Sequence, residues 1–274
     1  MSGLGVVDMA DPDTLLREGD LDGARSALVE VVRARPGDDK ARMFLFQLLC
    51  VTGEWDKARK QLQALVQVAG NAQMLAVTYN QAIDAECARA DVFAGKADMP
   101  VLVGMGGWVE GVARALTLQS RGRHAEAEAV REEAFAEAPD TPGVLDGRRF
   151  DWIADADTRF GPTFEAIVAG RYGLIPFDAV VSITSDGPED LRDTVWYPVQ
   201  LALKSGQSIA AFLPARYPGT EAAQSPALRL GRETDWVDAE HDGVAMQSGL
   251  GQRLWTLSGG EDAGLLELRK LTFD

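Results

Sequence analysis

Histidine and cysteine are scarce in this chain, with two of each among 274 residues. Neither His124 nor His241 has another His or a Cys at ligand spacing, which argues against a zinc site. Cys50 lies in the apolar run Phe44 to Val51 and Cys87 in the helical pattern Ala82 to Ala90. Two such thiols read as core filler rather than a disulfide framework, and they favour a reducing compartment. Positive charge is short too: 27 Lys and Arg stand against 42 Asp and Glu, a net charge of −15. That field repels phosphate backbones and anionic lipid heads, so neither nucleic acid nor membrane is an expected partner. No apolar stretch approaches the ~18 residues of a membrane span. The start of the chain lacks the basic and apolar regions of a signal peptide, and the expected location is cytoplasmic. G-x-S-x-G, P-loop and paired C-x-x-C motifs are missing. Gly104-Met105-Gly106-Gly107 follows no strand of a βαβ unit and reads as a loop entering a helix at Trp108, not as a dinucleotide fingerprint.

What the sequence does contain is a repeat. Gly19-Asp20-Leu21-Asp22-Gly23-Ala24-Arg25-Ser26-Ala27-Leu28 is echoed by Gly53-Glu54-Trp55-Asp56-Lys57-Ala58-Arg59-Lys60-Gln61-Leu62, with Gly19 to Gly53 and Ala24 to Ala58 each 34 residues apart. This is the period of a tetratricopeptide repeat, a helix-turn-helix unit that buries its apolar face only by stacking on neighbours. Residues 1 to 10 carry no clear period and are expected to fray. After the Asp11-Pro12 start signal, the pattern predicts helices over 13–18, 21–35, 39–52 and 54–68. A long helix of mixed polarity follows over 73–93, then helices over 109–120 and 125–138. Gly53 to Gly122 and Ala58 to Ala127 are both 69 residues apart, two periods and one residue more. The helical half therefore holds two clear repeats, one degenerate unit and a further clear repeat.

Past Pro142 the texture changes. Four of the six tryptophans, Trp152, Trp196, Trp236 and Trp255, fall here, and short apolar runs alternate with Gly and Pro. The pattern predicts a helix over 163–169 and short strands over 178–184, 194–203, 208–213, 228–230, 234–237, 244–246, 253–258 and 265–273. The fold class is α+β: a TPR-like helical solenoid over residues 1–144, then a compact, mainly-β domain over 145–274, such as a small barrel with a helix or two.

A solenoid offers a concave face for an extended or helical peptide. Helical phase places Arg42, Phe46 and Gln47 on that groove; the other reading is that the helices only support the second domain. In the β half, Arg192, Trp196, Arg216, Tyr217, Arg232, Trp236 and Arg253 form a set rich in the residue types of interface hot spots, which equally make cation–π and carboxylate pairs inside a domain. The enzyme candidate is the acidic cluster Asp151, Asp155 and Asp157, suited to Mg²⁺. Arg148, Arg149 and Arg159 flank it, so an ion-pair and capping network explains it as simply. No cofactor is implied.

Further motifs carry a resemblance. The run Phe150-Asp151-Trp152-Ile153-Ala154-Asp155-Ala156-Asp157-Thr158-Arg159-Phe160-Gly161-Pro162, with Glu165, Gly170-Arg171-Tyr172 and Ile175-Pro176-Phe177, resembles the ImpE/TagJ (SciE-type) family. So do Leu191-Arg192-Asp193-Thr194-Val195-Trp196, Pro214-Ala215-Arg216-Tyr217-Pro218-Gly219, Leu230-Gly231-Arg232-Glu233-Thr234-Asp235-Trp236, Gly249-Leu250-Gly251-Gln252-Arg253 and Leu265-Leu266-Glu267-Leu268-Arg269. The match runs in order through most of the chain. One departure is Gly173-Leu174, where an aromatic is expected before Ile-Pro. The resemblance implies a non-enzymatic cytoplasmic accessory protein of bacterial type VI secretion. Its implied partners are the N-terminal helix of the small sheath subunit and the ATPase that recycles sheath. A self-assembling structural subunit is a third reading.

Overall fold

A computed structural model describes residues 11–70, 72–104, 107–241 and 243–274, without the side chain of Val244. The expectation for residues 1–10, and the Met105-Gly106 part of the glycine-rich loop, lie outside them. The chain divides into two compact units, Met1–Val77 and Thr78–Asp274.

The first unit is helical: α1 (Pro12–Glu18), α2 (Leu21–Ala34), α3 (Asp39–Val51), α4 (Trp55–Val68) and the first residues of α5 (Ala72–Phe93). Asp11, Asp20 and Asp38 each cap a helix by accepting the backbone N–H three residues on, which satisfies a donor the helix itself cannot. Gly19 closes α1 in the left-handed region at φ 84° and Gly53 follows α3 at φ 70°. The repeated glycine is thus the residue that turns each pair, a conformation L side chains resist. Ala24 and Ala58 are fully buried; their small side chains let the paired helices approach.

The second unit opens with the rest of α5, then α6 (Gly107–Ser120) and α7 (His124–Glu137). Gly122, at φ 76°, and the buried Ala127 repeat the turn and the close contact of the first unit. The strands are β1 (Gly143–Leu145), β2 (Arg148–Phe150), β3 (Ile153–Asp155), β4 (Thr163–Val168), β5 (Arg171–Pro176), β6 (Val180–Thr184), β7 (Trp196–Leu203), β8 (Ser208–Pro214), β9 (Thr234–His241), β10 (Val244–Gly251), β11 (Leu254–Leu257), β12 (Asp262–Gly264) and β13 (Lys270–Phe273). Eight of them form one sheet in the order β2-β1-β13-β6-β7-β8-β4-β5, beside a three-stranded sheet β12-β11-β3 and the β9-β10 hairpin. Every strand-to-strand pairing is antiparallel. The core between them gathers Phe164, Phe177, Tyr197, Leu201, Trp255 and Leu271.

Two sequence expectations are corrected here. Residues 163–169 are not helix: Thr163 to Ile167 are buried without interruption, the pattern of a strand covered on both faces, which periodicity cannot separate from a helix. Residues 228–230 are not a strand. Leu228 and Arg229 close a short helix, α8 (Pro226–Arg229), with Pro226 in its first turn and Leu230 as its C-cap.

The departure at Gly173 has a physical reason. Leu102 N–H donates to Leu174 O and Leu174 N–H donates to Pro100 O, both at 2.8 Å, so residues 100–102 cover the outer edge of β5. A Cβ at Gly173 would meet Pro100 O at 2.8 Å and the Leu102 side chain at 3.0 Å. The missing side chain makes room for the segment that closes an otherwise open sheet edge.

Candidate partner-binding site

Inside the second unit lies a buried ionic cluster. Glu165 on β4 and Asp155 at the end of β3 both face Arg253, which precedes β11; the three are 1%, 3% and 1% exposed. Arg253 bonds Asp155 through Nη1 and Glu165 through Nη2. Its guanidinium lies 4.6 Å from the Phe160 ring centroid and 4.7 Å from that of Tyr217, a stacked site that a lysine would not reproduce. Arg89 on α5 reaches the same glutamate from the helical side, with Nε to Oε1 at 2.7 Å and Nη2 to Oε2 at 2.9 Å. Tyr172 O–H donates to Glu165 as well. Beyond Arg89, Glu86 accepts from Trp196 Nε1 at 3.2 Å.

Burial alone would push the Glu165 carboxyl up. The Arg89 and Arg253 charges overcome it and hold the group at about 2. Asp155 goes the other way: burial raises it to about 7, with the neighbouring Asp157 charge adding to the rise against the pull of Arg253. Burial likewise raises Glu86. Tyr217 O–H donates to Asp155 Oδ1 at 3.0 Å and accepts from Leu254 N–H at 3.1 Å. Asp157 holds Arg159 through both oxygens and accepts Gly249 N–H at 2.9 Å. Asp151 is exposed, its N–H donating to Ser258 Oγ. A cation between Asp155 and Asp157 would have to displace Arg253 and Arg159. No group of three or more His, Cys, Asp or Glu side chains among the described residues is placed to hold a metal. The cluster is a structural tie between α5, the two larger sheets and the loop after β3.

The residues proposed from sequence scatter accordingly. Trp196, Arg216, Tyr217 and Arg253 are buried. Arg216 donates to Arg229 O, while Tyr217 and Arg253 belong to the cluster. Arg192 is half-buried against Tyr79, Trp236 is half-buried with its ring 5.8 Å from that of Tyr217, and Arg232 is exposed. In the first unit Phe46 and Gln47 are buried within a run, Leu45 to Val51, that is buried throughout, so neither lines an open groove. Arg42 is half-exposed, bonding Pro36 O at 2.7 Å and Gln61 Oε1 at 3.1 Å. The two histidines, 117 residues apart, stack at 4.4 Å, because His241 ends strand β9 of a hairpin rather than sitting in the polar loop its neighbours suggest.

Sequence reasoning missed a cleft of about 660 Å³ lined by α5 from Thr78 to Ala82, the ends of β4 and β6, β7, β8 and the loop 185–193. No single motif marks it, since its walls come from five separated segments.

Residues 147–272 match the ImpE protein family, and residues 15–78 match a tetratricopeptide repeat family. The chain is 43% identical, over 96% of its length and 90% of the other's, to the type VI secretion system accessory component TagJ of Pseudomonas aeruginosa. A crystal structure of a Vibrio parahaemolyticus protein superposes with a TM-score of 0.83 at 23% identity, covering 96% of this chain and 97% of that one; this likeness speaks to fold alone.

Proposed function

The chain belongs to the ImpE/TagJ family, and from that premise we propose that it is a non-enzymatic accessory component of a type VI secretion system. In this reading it acts in the cytoplasm as an adaptor that binds the N-terminal helix of the small sheath subunit. It is thereby linked to sheath assembly or to the ATPase that recycles sheath. The observation that carries the reading is the 43% identity to TagJ across nearly the whole of both chains. The repeat helices support it, since solenoids of this kind present surfaces to peptides. So does the use of Asp155 and Asp157 in ion pairs, which takes the acidic cluster away from metal chemistry. Among the described residues no helix is long and apolar enough to cross a membrane. Arg42, Arg192, Arg232 and Trp236, each at least partly exposed, are the sequence-proposed residues left to meet a partner.

Titration calorimetry of the chain with a peptide of the sheath subunit's first helix tests this. Binding at micromolar affinity or tighter, roughly −8 kcal/mol, and competition by the intact subunit are expected. No heat and no competition would remove the reading.

A further inference from the structure

The cleft between α5 and the eight-stranded sheet has an apolar floor and an acidic mouth. Tyr79 and Phe212, ring centroids 5.6 Å apart, form the floor with Ile167 and Val199. The side chains around it include four carboxylates, Asp186, Glu189, Asp190 and Asp193, and a single cation, Arg192. That cation is committed to the wall. Its guanidinium lies 4.7 Å from the Tyr79 ring centroid, Nε donates to Tyr79 Oη at 2.6 Å, and Nη2 pairs with Asp190. Asp193 is committed too, accepting the N–H groups of Glu189 and Asp190 at 2.9 and 2.8 Å. Asp186 and Glu189 are exposed and make no ion pair among the described residues.

The mouth is also preformed. Ser185 Oγ donates to Pro198 O at 2.8 Å and accepts Gly187 N–H at 3.1 Å, while the Arg269 guanidinium closes the back of the loop against Gly187. A loop held at both ends in this way loses little freedom on binding. The volume, about 660 Å³, suits several side chains rather than an ion.

We propose that this cleft docks a segment of a partner protein in which a Lys or Arg stands beside large apolar side chains. The apolar groups rest on Tyr79 and Phe212, and the cation lies between Asp186 and Glu189. Charge complementarity selects the occupant, because an acidic segment would bring carboxylates against a mouth whose lining guanidinium, Arg192, is paired with Asp190 and whose neighbour behind the loop, Arg269, is bonded to Tyr197 Oη and to the Leu266 and Leu268 carbonyls. The proposal deepens the adaptor reading and rests on it.

The test is fluorescence anisotropy of the full chain with three labelled probes: an amphipathic Lys/Leu peptide, its Glu/Leu counterpart and a Lys/Ser peptide of equal charge. Two double variants are compared, Asp186→Lys with Glu189→Lys at the mouth, and Glu132→Lys with Glu133→Lys on the exposed face of α7. Both change net charge equally. The Lys/Leu peptide is expected to bind best and to weaken about tenfold or more in the mouth variant, but no more than about threefold in the control. Equal weakening in both variants, no weakening in either, or equal binding of the Glu/Leu or Lys/Ser probe overturns the cleft assignment. The small sheath subunit is titrated in parallel. Its failure to bind the wild-type chain strikes the adaptor reading, while the peptide pair still decides the cleft. Equal subunit binding by wild type and mouth variant overturns the cleft alone.

Discussion

Arg253 holds Glu165 with one terminal nitrogen while the other holds Asp155, so a single guanidinium joins the eight-stranded sheet to the three-stranded one. The two carboxylates come from strands that share no hydrogen-bonded ladder. What links them is the charge of Arg253: without it Glu165 keeps Arg89 and Tyr172, while Asp155 loses its cation and keeps the Tyr217 hydroxyl.

Arg253→Met therefore removes the cation and keeps most of the volume. Breaking a buried pair from one side costs about 3–5 kcal/mol, and in a unit of this size that lowers the melting temperature by roughly 10 °C. Arg253→Lys is expected to fall between, since an ammonium cannot serve both carboxylates in one plane. Circular dichroism melts of the three proteins check the order. Equal melting of Met and wild type would show that the tie contributes nothing net.

The same cluster sets a pH dependence with two opposing arms. Glu165 is held at about 2, below the ordinary 4.5, so its contribution is complete above about pH 4.5 and is lost as pH falls toward 2. Asp155 sits at about 7, above the ordinary 3.8. The unfolded chain gives up that proton first, so stability declines as pH rises from about 4 to 7. Asp155→Asn should flatten the profile between pH 4 and 7, and Glu165→Gln should flatten it between 4.5 and 2. Urea unfolding across that range reads both slopes. Unchanged slopes in the variants would reassign them to other carboxylates.

Gly173→Phe supplies the aromatic that the family pattern leads one to expect. Here it collides with Pro100 O and Leu102, so the segment over β5 must lift. A cost of about 1–3 kcal/mol is expected from the overpacking, together with an exposed strand edge open to pairing with other chains. Light scattering at rising concentration should show more association than the parent shows. A variant as stable and as monodisperse as the parent would show that the covering segment adapts.

The helical part was legible almost to the residue because its period, caps and turn glycines each encode one local geometry. Gly19 and Gly53 announce their left-handed turns by recurring at 34 residues. The β half was legible as a class and less so in detail. Thr163 to Ile167 is buried on both faces and carries no alternation to read. The candidate site was harder still. Asp155 and Arg253 are 98 residues apart, and Tyr79 meets Arg192 across 113, so no spacing rule joins them. Composition identified Arg and Trp as the residues to watch. Only packing divides them into the buried ties, Trp196 and Arg253, and the exposed Arg232.

Gly161 tests whether the loop after β3 is fixed by α7. It lies at φ 54°, and a Cβ there would fall 2.1 Å from Phe135 Cζ on α7. Its carbonyl accepts Asp155 N–H at 2.8 Å, so any shift of this turn moves the carboxylate that Arg253 holds. Gly161→Ala carries two penalties: about 1 kcal/mol for the left-handed backbone, and a clash of about 1–2 kcal/mol with the Phe135 ring. Phe135→Ala removes only the second. In a double-mutant cycle followed by urea unfolding, the alanine at 161 should cost about 1–2 kcal/mol less when Phe135 is already truncated. Strict additivity would mean that the backbone conformation alone accounts for the glycine, and that α7 does not set the position of Asp155.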